Sequence, residues 1–131
     1  MSWQQYVDSS LVASGHVDKA ALVSGAGDSI WAQSTGFQPL LPELKIIADI
    51  LNNNQAAKDK AFADGLNVAG VRYVMARADD RSIYARQKKD GICITKSKQA
   101  IIIAHHNEQQ VAGNASSTVE SLADYLIKMN Y

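Results

Sequence analysis

Residues 66–106 read LNVAGVRYVMARADDRSIYARQKKDGICITKSKQAIIIAHH, and this stretch decides the fold. Its apolar residues recur with a period of two, in the runs LNVAG, VRYVMARA, RSIYARQK, GICITKSK and QAIIIAHH. All are rich in the Val, Ile and Tyr that suit a pleated, half-buried surface. The runs are separated at Gly70, at Asp79-Asp80, at Lys89-Asp90-Gly91 and near Lys98. Connections this short join antiparallel neighbours, because a parallel pair needs a long crossover. Ile101, Ile102, Ile103 and Ala104 are apolar at every position, which predicts a central strand covered on both faces.

Helical spacing flanks this run on both sides. Downstream, Gly113 opens a segment in which Ala115, Val119, Leu122, Ala123 and Leu126 form one apolar stripe, predicting a last helix that runs nearly to Tyr131. Upstream, residues 55–63 (QAAKDKAFA) read as a weak helix or an ordered loop. Pro39 and Pro42 bracket a loop, and Pro42 suits the first turn of a helix carrying Leu44, Ile47, Ala48 and Leu51 and ending at Asn52-Asn53-Asn54. Residues 18–24 and 29–34 predict a hairpin around Gly25-Ala26-Gly27-Asp28. At the start, Ser2 and Gln5 have capping-box spacing, and Trp3, Tyr6, Val7 and Leu11 share one face of a helix over residues 3–12 that Gly15 stops. The sum is one α+β domain over residues 1–131, built around one antiparallel sheet.

Thirteen basic and thirteen acidic residues cancel, which argues against non-specific coating of nucleic acid. The single Cys93 excludes an internal disulfide and a cysteine-cluster zinc site, and it reads as a small buried hydrophobe. No apolar run is long enough to span a membrane, and no secretory signal is visible, so the expected compartment is the cytosol. Catalysis has little support. Asp79-Asp80 would point to opposite faces of a strand and read as turn residues; His105-His106 lack a third metal ligand; Gly25-Ala26-Gly27 lacks a following helix to aim amides at a phosphate.

Two constellations remain. Trp3 and Tyr6 near the start, Trp31 on the hairpin, and Tyr125 and Tyr131 at the end lie on or next to the terminal helices. Singly, each ring reads as core. As a set on two helices packed side by side, they would form one surface, and such a surface suits a polyproline II segment. The second constellation is basic. Arg72, Arg77, Arg81, Arg86, Lys88, Lys89, Lys96 and Lys98 place eight of thirteen basic residues between positions 72 and 98, against three acids. This is the solvated face of a meander, or a surface for an acidic protein or for anionic lipid headgroups. Single-stranded nucleic acid is the competing ligand, but the common RNA-binding sheet signature is missing and the tryptophans lie outside the basic window.

The opening MSWQQYVD, the segment GDSIWA at 27–32, the run RADDRSIYAR at 77–86 and the ending LADYLIKMNY at 122–131 resemble the profilin family over the full length, most closely its fungal and amoeboid branch. The resemblance implies a central antiparallel sheet of six to seven strands, with the N- and C-terminal helices on one face and smaller helices on the other. It implies no enzyme and no cofactor, but a cytoplasmic, cytoskeletal protein binding monomeric actin one to one, as well as proline-rich proteins such as formin-like elongation factors. The polyproline groove carries over to Trp3, Tyr6, Trp31, Tyr125 and Tyr131, and the actin face to Arg72, Val74, Ala76, Arg77, Arg86, Lys88, Ser116 and Ser117. Phosphoinositide headgroups would meet Arg77, Arg81, Arg86, Lys88 and Lys89; nucleic acid is not an expected partner. Five positions depart from the family pattern: Ala85 for a common Gly, Ala112 for a common Pro, Ser117 where vertebrate relatives carry Lys, and the unassigned pair His105-His106.

Overall fold

The strand Ala100–His106 (β7) is buried at every position, and the rest of the fold is the cover that this requires. In the computed structural model, which describes residues 2–131, β7 lies inside a seven-stranded sheet. The other strands are Lys19–Ser24 (β1), Ile30–Gln33 (β2), Leu66–Val68 (β3), Val71–Ala78 (β4), Ser82–Gln87 (β5) and Asp90–Lys96 (β6). The order is β2-β1-β7-β6-β5-β4-β3, and every neighbouring pair is antiparallel.

Alternation sorts the side chains into two layers. Ala21, Val23, Ile101, Ile103, Ile92, Ile94, Ile83, Tyr73 and Met75 face one way and pack on the helices Leu41–Leu51 (α2) and Gln55–Asp64 (α3). Ala20, Leu22, Ile102, Ala104 and Cys93 face the other way, toward the N-terminal helical segment (α1, residues 3–14) and the last helix, Ala112–Lys128 (α4). The expected layer order, terminal helices on one face and smaller helices on the other, is the one observed. No helix among the described residues is long and apolar enough to cross a membrane.

Local outcomes refine the sequence reading. Segment α1 opens as an α-turn over Trp3–Gln5, widens to a π-helix over Tyr6–Leu11 and tightens to a 3-10 turn over Val12–Ser14. The predicted capping box is formed: Gln5 N–H donates to Ser2 Oγ at 3.2 Å, and Ser2 N–H donates to Gln5 Oε1 at 3.0 Å. Residues 55–63, left open between helix and loop, form α3; Asn54 caps it, its side chain accepting from Ala57 N–H at 3.0 Å. The break expected at Lys89-Asp90-Gly91 lies one residue earlier. Gln87 pairs with Asp90, so Lys88-Lys89 is the loop and Gly91 is a strand residue. A Cβ at Gly91 would collide with the His106 ring and come within 2.8 Å of Tyr84 Oη, so glycine answers to a neighbour here and not to a turn.

One buried carboxylate stitches the smaller-helix layer to the sheet edge. Glu43 Oε1 accepts the N–H groups of Leu40 at 2.8 Å and Ala69 at 2.7 Å, and Oε2 accepts that of Gly70 at 3.0 Å. It caps α2 and holds the β3–β4 turn at once. Replacing Glu43 by Ala leaves three part-buried donors unpaired. The expected loss is about 2–3 kcal/mol of unfolding free energy in a urea titration, with Glu43→Gln losing less.

Candidate functional site

Trp3 is the hub of an aromatic cluster. Its ring lies 4.7 Å from Trp31, 5.7 Å from Tyr6 and 5.1 Å from Tyr131, the last edge-on at 87°. Tyr6 continues the row to Tyr125 at 6.1 Å. Tilted and edge-on pairs at these separations are the favourable aromatic geometries. All five predicted rings are therefore gathered on one surface. Trp3 and Trp31 are half-buried and Tyr125 and Tyr131 exposed, whereas Tyr6 is 9% exposed and roots the row in the core. Burial, then the neighbouring Tyr125, push the Tyr6 phenol above its ordinary value.

Each ring has a local reason for its place. Gln4 Nε2 donates to Gln33 O at 2.9 Å, tying α1 to β2 and seating Trp3 over Trp31. At the other end, Asn130 takes a left-handed φ of 68°. Asn130 N–H then donates to Ile127 O at 3.0 Å and Tyr131 N–H to Leu126 O at 2.8 Å, a Schellman turn that folds Tyr131 back toward Trp3. Ser97 Oγ secures it by donating to Tyr131 O at 2.8 Å.

The second surface exists because the terminal helices are too few for seven strands. Helix α4 packs on β6 and β7 and reaches the Ser82 end of β5, where Ser82 Oγ donates to Glu120 Oε1 at 3.2 Å, leaving the same face of β4 and the Arg86 end of β5 open. Arg72, Val74 and Ala76 stand exposed along β4, and Val74 pairs directly with Arg86 on β5. A bulge between Met75 and Arg77 brings Arg77 opposite Tyr84. Arg77 and Ser116 then share a hollow with Tyr84 and Glu120, while Arg86 and Lys89 line the next one with His106. Lys88 occupies the exposed β5–β6 loop at a φ of 56°.

Two predicted groups are divided. Arg81 sits at the opposite end of β5 from Lys88 and Lys89, and its guanidinium is engaged by Asp124 at 2.9 Å. Ser117, adjacent to Ser116 in sequence, turns to the other side of α4. There it shares a cavity of about 470 Å³ with Tyr6, Ser10, Thr118, Ser121 and Tyr125. Sequence reasoning missed this cavity, although Ser117, Ser121 and Tyr125 already stood at helical spacing.

His105 and His106 also find partners. His105 Nδ1 lies 2.6 Å from Asp18 Oδ1, and Nε2 lies 3.5 Å from Asp90 Oδ2. The His106 ring stacks on Tyr84 at 3°, with Nε2 at 3.0 Å from the Tyr84 hydroxyl. Asp79 accepts the N–H groups of Arg81 and Ser82 in the β4–β5 turn, which holds its carboxyl below the usual carboxylate range.

A sheet with helices on both faces, an aromatic surface at the meeting of its termini and a charged bare face define a two-surfaced binding domain. The sequence model of Profilin matches residues 1–131. The chain is 40% identical to the profilin of Schizosaccharomyces pombe and 41% identical to that of Saccharomyces cerevisiae, each over the whole of both chains. The solved structure of Acanthamoeba castellanii profilin IA superposes with a TM-score of 0.92 at 40% identity, covering 99% of this chain and 100% of that one. Mouse profilin IIa, solved with a double repeat from the FH1 domain of mDia1, shares the fold at a TM-score of 0.81 and 18% identity, with both chains covered completely. The chain belongs to the profilin family, a family of non-enzymatic actin-binding proteins.

Cys93 sits under α4, 2% exposed, with Sγ 3.3 Å from Ser116 Oγ. Burial pushes its thiol up, so the reactive thiolate is scarce at neutral pH. The expected outcome is that a thiol reagent leaves Cys93 unmodified in the native protein and labels it once denaturant unfolds the chain; fast native labelling contradicts this placement.

Proposed function

We propose that this chain binds an actin monomer on the bare β4–β5 face and a proline-rich segment on the Trp3-centred cluster, and so regulates filament assembly. The monomer is sequestered, or it is carried to a barbed end while the other surface holds an elongation factor. The observation that carries this reading is the five-ring surface, half-exposed and fixed in place by Gln4 and the Schellman turn. A polyproline II helix offers ring faces and carbonyl acceptors and has little conformational freedom to lose, which suits stacked aromatics with polar edges. The FH1 repeat seated on the mouse relative supports the same ligand class.

Actin contact is assigned to Arg72, Val74, Ala76, Arg77, Arg86, Lys88 and Ser116, which lie on or beside one sheet face. Ser117, which faces the hollow between the terminal helices, falls outside this face. Among the described residues, the Arg77 and Arg86 side chains have no hydrogen bond or ion pair, so both are free to meet an acidic partner. Ser116 and Tyr125 stand nine residues apart on α4, about 13 Å of helix axis, enough to keep the two sites separate. Phosphoinositide headgroups would use Arg77, Arg86, Lys88 and Lys89 and so compete with actin, with Arg81 contributing only if it leaves Asp124. The place of action is the cytoplasm, with the cytoskeleton.

Tryptophan fluorescence tests both sites. Oligoproline should change the emission of the wild type, and Trp3→Ala should weaken oligoproline binding by at least about thirtyfold while actin affinity stays within about twofold. Loss of both in a folded variant contradicts the two-site reading. Arg77→Glu should weaken actin binding about tenfold, more steeply at low salt, and leave oligoproline binding unchanged. Vesicles containing phosphatidylinositol bisphosphate should release bound actin from the wild type, and failure to do so removes the lipid assignment alone.

A further inference from the structure

Neither binding surface gives His106 a role, yet its ring lines a hollow of about 390 Å³ on the bare face, with Tyr84, Arg86, Lys89, Glu108 and Gln110. The His106 and Tyr84 rings stack at 3°, and Gly91 leaves them room. His106 Nδ1 faces Asn107 O at 3.2 Å, and Nε2 lies 3.0 Å from Tyr84 Oη. A carbonyl can only accept. The neutral ring therefore carries its hydrogen on Nδ1 and takes the Tyr84 hydroxyl hydrogen at Nε2. Burial holds the Tyr84 phenol above its ordinary value, against the opposing pull of Arg86, so that hydrogen is there to give.

Protonation of His106 reverses this bond. Nε2 then donates, the Tyr84 oxygen accepts, and the Tyr84 hydrogen is freed for another partner. The hollow gains a positive charge near Arg86 and a spare donor. The surrounding groups decide what that charge meets. Strand β5 brings Tyr84 and Arg86; the Arg86 side chain has no hydrogen bond or ion pair among the described residues. The β5–β6 loop brings Lys89, whose Nζ lies 3.7 Å from Glu108 Oε2 in the segment after β7. Strand β6 sets the uncharged Gly91 opposite His106, and α4 brings Ala112. Ahead of β1, Asp18 is turned to His105, as is Asp90, while His16 is exposed and outside the hollow. Arg77 and Glu120 belong to the neighbouring hollow, where Glu120 accepts from Ser82 Oγ. Among the described residues, the hollow's one carboxylate, Glu108, already faces Lys89.

We propose that this hollow is a proton-dependent carboxylate subsite, in which an Asp or Glu of the bound actin monomer, held by Arg86, draws a proton onto His106. The inference rests on the actin-binding reading. Because the charged ring is favoured in the complex, affinity is higher on the acid side and falls as pH rises through the imidazole's titration, between about pH 5 and pH 8.

The test titrates monomeric actin into the wild type and His106→Phe at about pH 6 and about pH 8, at one ionic strength. Actin's own titration is common to both proteins, so the ratio of the two affinity changes isolates His106. The wild type should gain at least about threefold more than the variant on the acid side. Equal changes overturn the subsite. His106→Gln, which can still accept from Tyr84, replaces His106→Phe if that chain does not fold. Calorimetry near neutral pH, in buffers of different ionisation enthalpy, needs no variant: the wild type should take up protons as it binds actin, and no uptake overturns the subsite. An acid-side gain for phosphatidylinositol bisphosphate vesicles with none for actin assigns the hollow to phosphate and also overturns it. Failure of the wild type to bind actin at either pH overturns instead the actin-binding reading beneath it.

Discussion

A central strand with no polar face constrains everything else. Because Ala100–His106 is buried on both sides, the sheet needs a helical layer above and another below. The chain supplies one layer from its middle and the other from its two ends. Using both ends on one face brings Trp3 and Tyr6 from the start of the chain beside Tyr125 and Tyr131 from its close, with Trp31 delivered by the edge strand beneath. The aromatic surface is thus a consequence of how the core is closed. The bare face has the same origin, since α1 and α4 cover the β1–β7–β6 part of the sheet and stop short of β4.

Polar groups then fix what hydrophobic burial leaves loose. Gln4 bridges α1 to β2, Ser97 anchors Tyr131, and Glu43 joins α2 to the β3–β4 turn. Preorganisation of this kind matters for a surface that stacks on a stiff ligand, because rings already in place have little rotational freedom left to lose on binding. On the bare face the same logic runs the other way. Among the described residues Arg77 and Arg86 have no hydrogen bond or ion pair, which would leave their charge available to the proposed acidic partner, while Arg81 is spent on Asp124.

Much of this was legible in the sequence. Period-two runs gave the strands, the apolar IIIA run marked the buried centre, and helical spacing put Trp3, Tyr6, Val7 and Leu11 on one face even though much of that segment is π-helical. The details that escaped share a cause, because each depends on contacts between residues distant in sequence. The Lys-Asp-Gly run looked like a turn, yet Gly91 is a strand residue required by the His106 ring across the sheet. Residues 55–63 bury little beyond Ala61, so their pattern was weak; the Asn54 cap was the signal that they form a helix. Ser116 and Ser117 looked like one site, but the 100° step between successive helical residues sends them to different sides of α4.

The separation of the two surfaces along α4 is the central claim. It is tested most directly by titrating decaproline, by calorimetry, into the protein already saturated with monomeric actin. The account predicts a decaproline affinity within about twofold of that for the free protein, with all three components sedimenting together. Displacement of actin by decaproline, or an affinity about tenfold weaker in the actin complex, would contradict it.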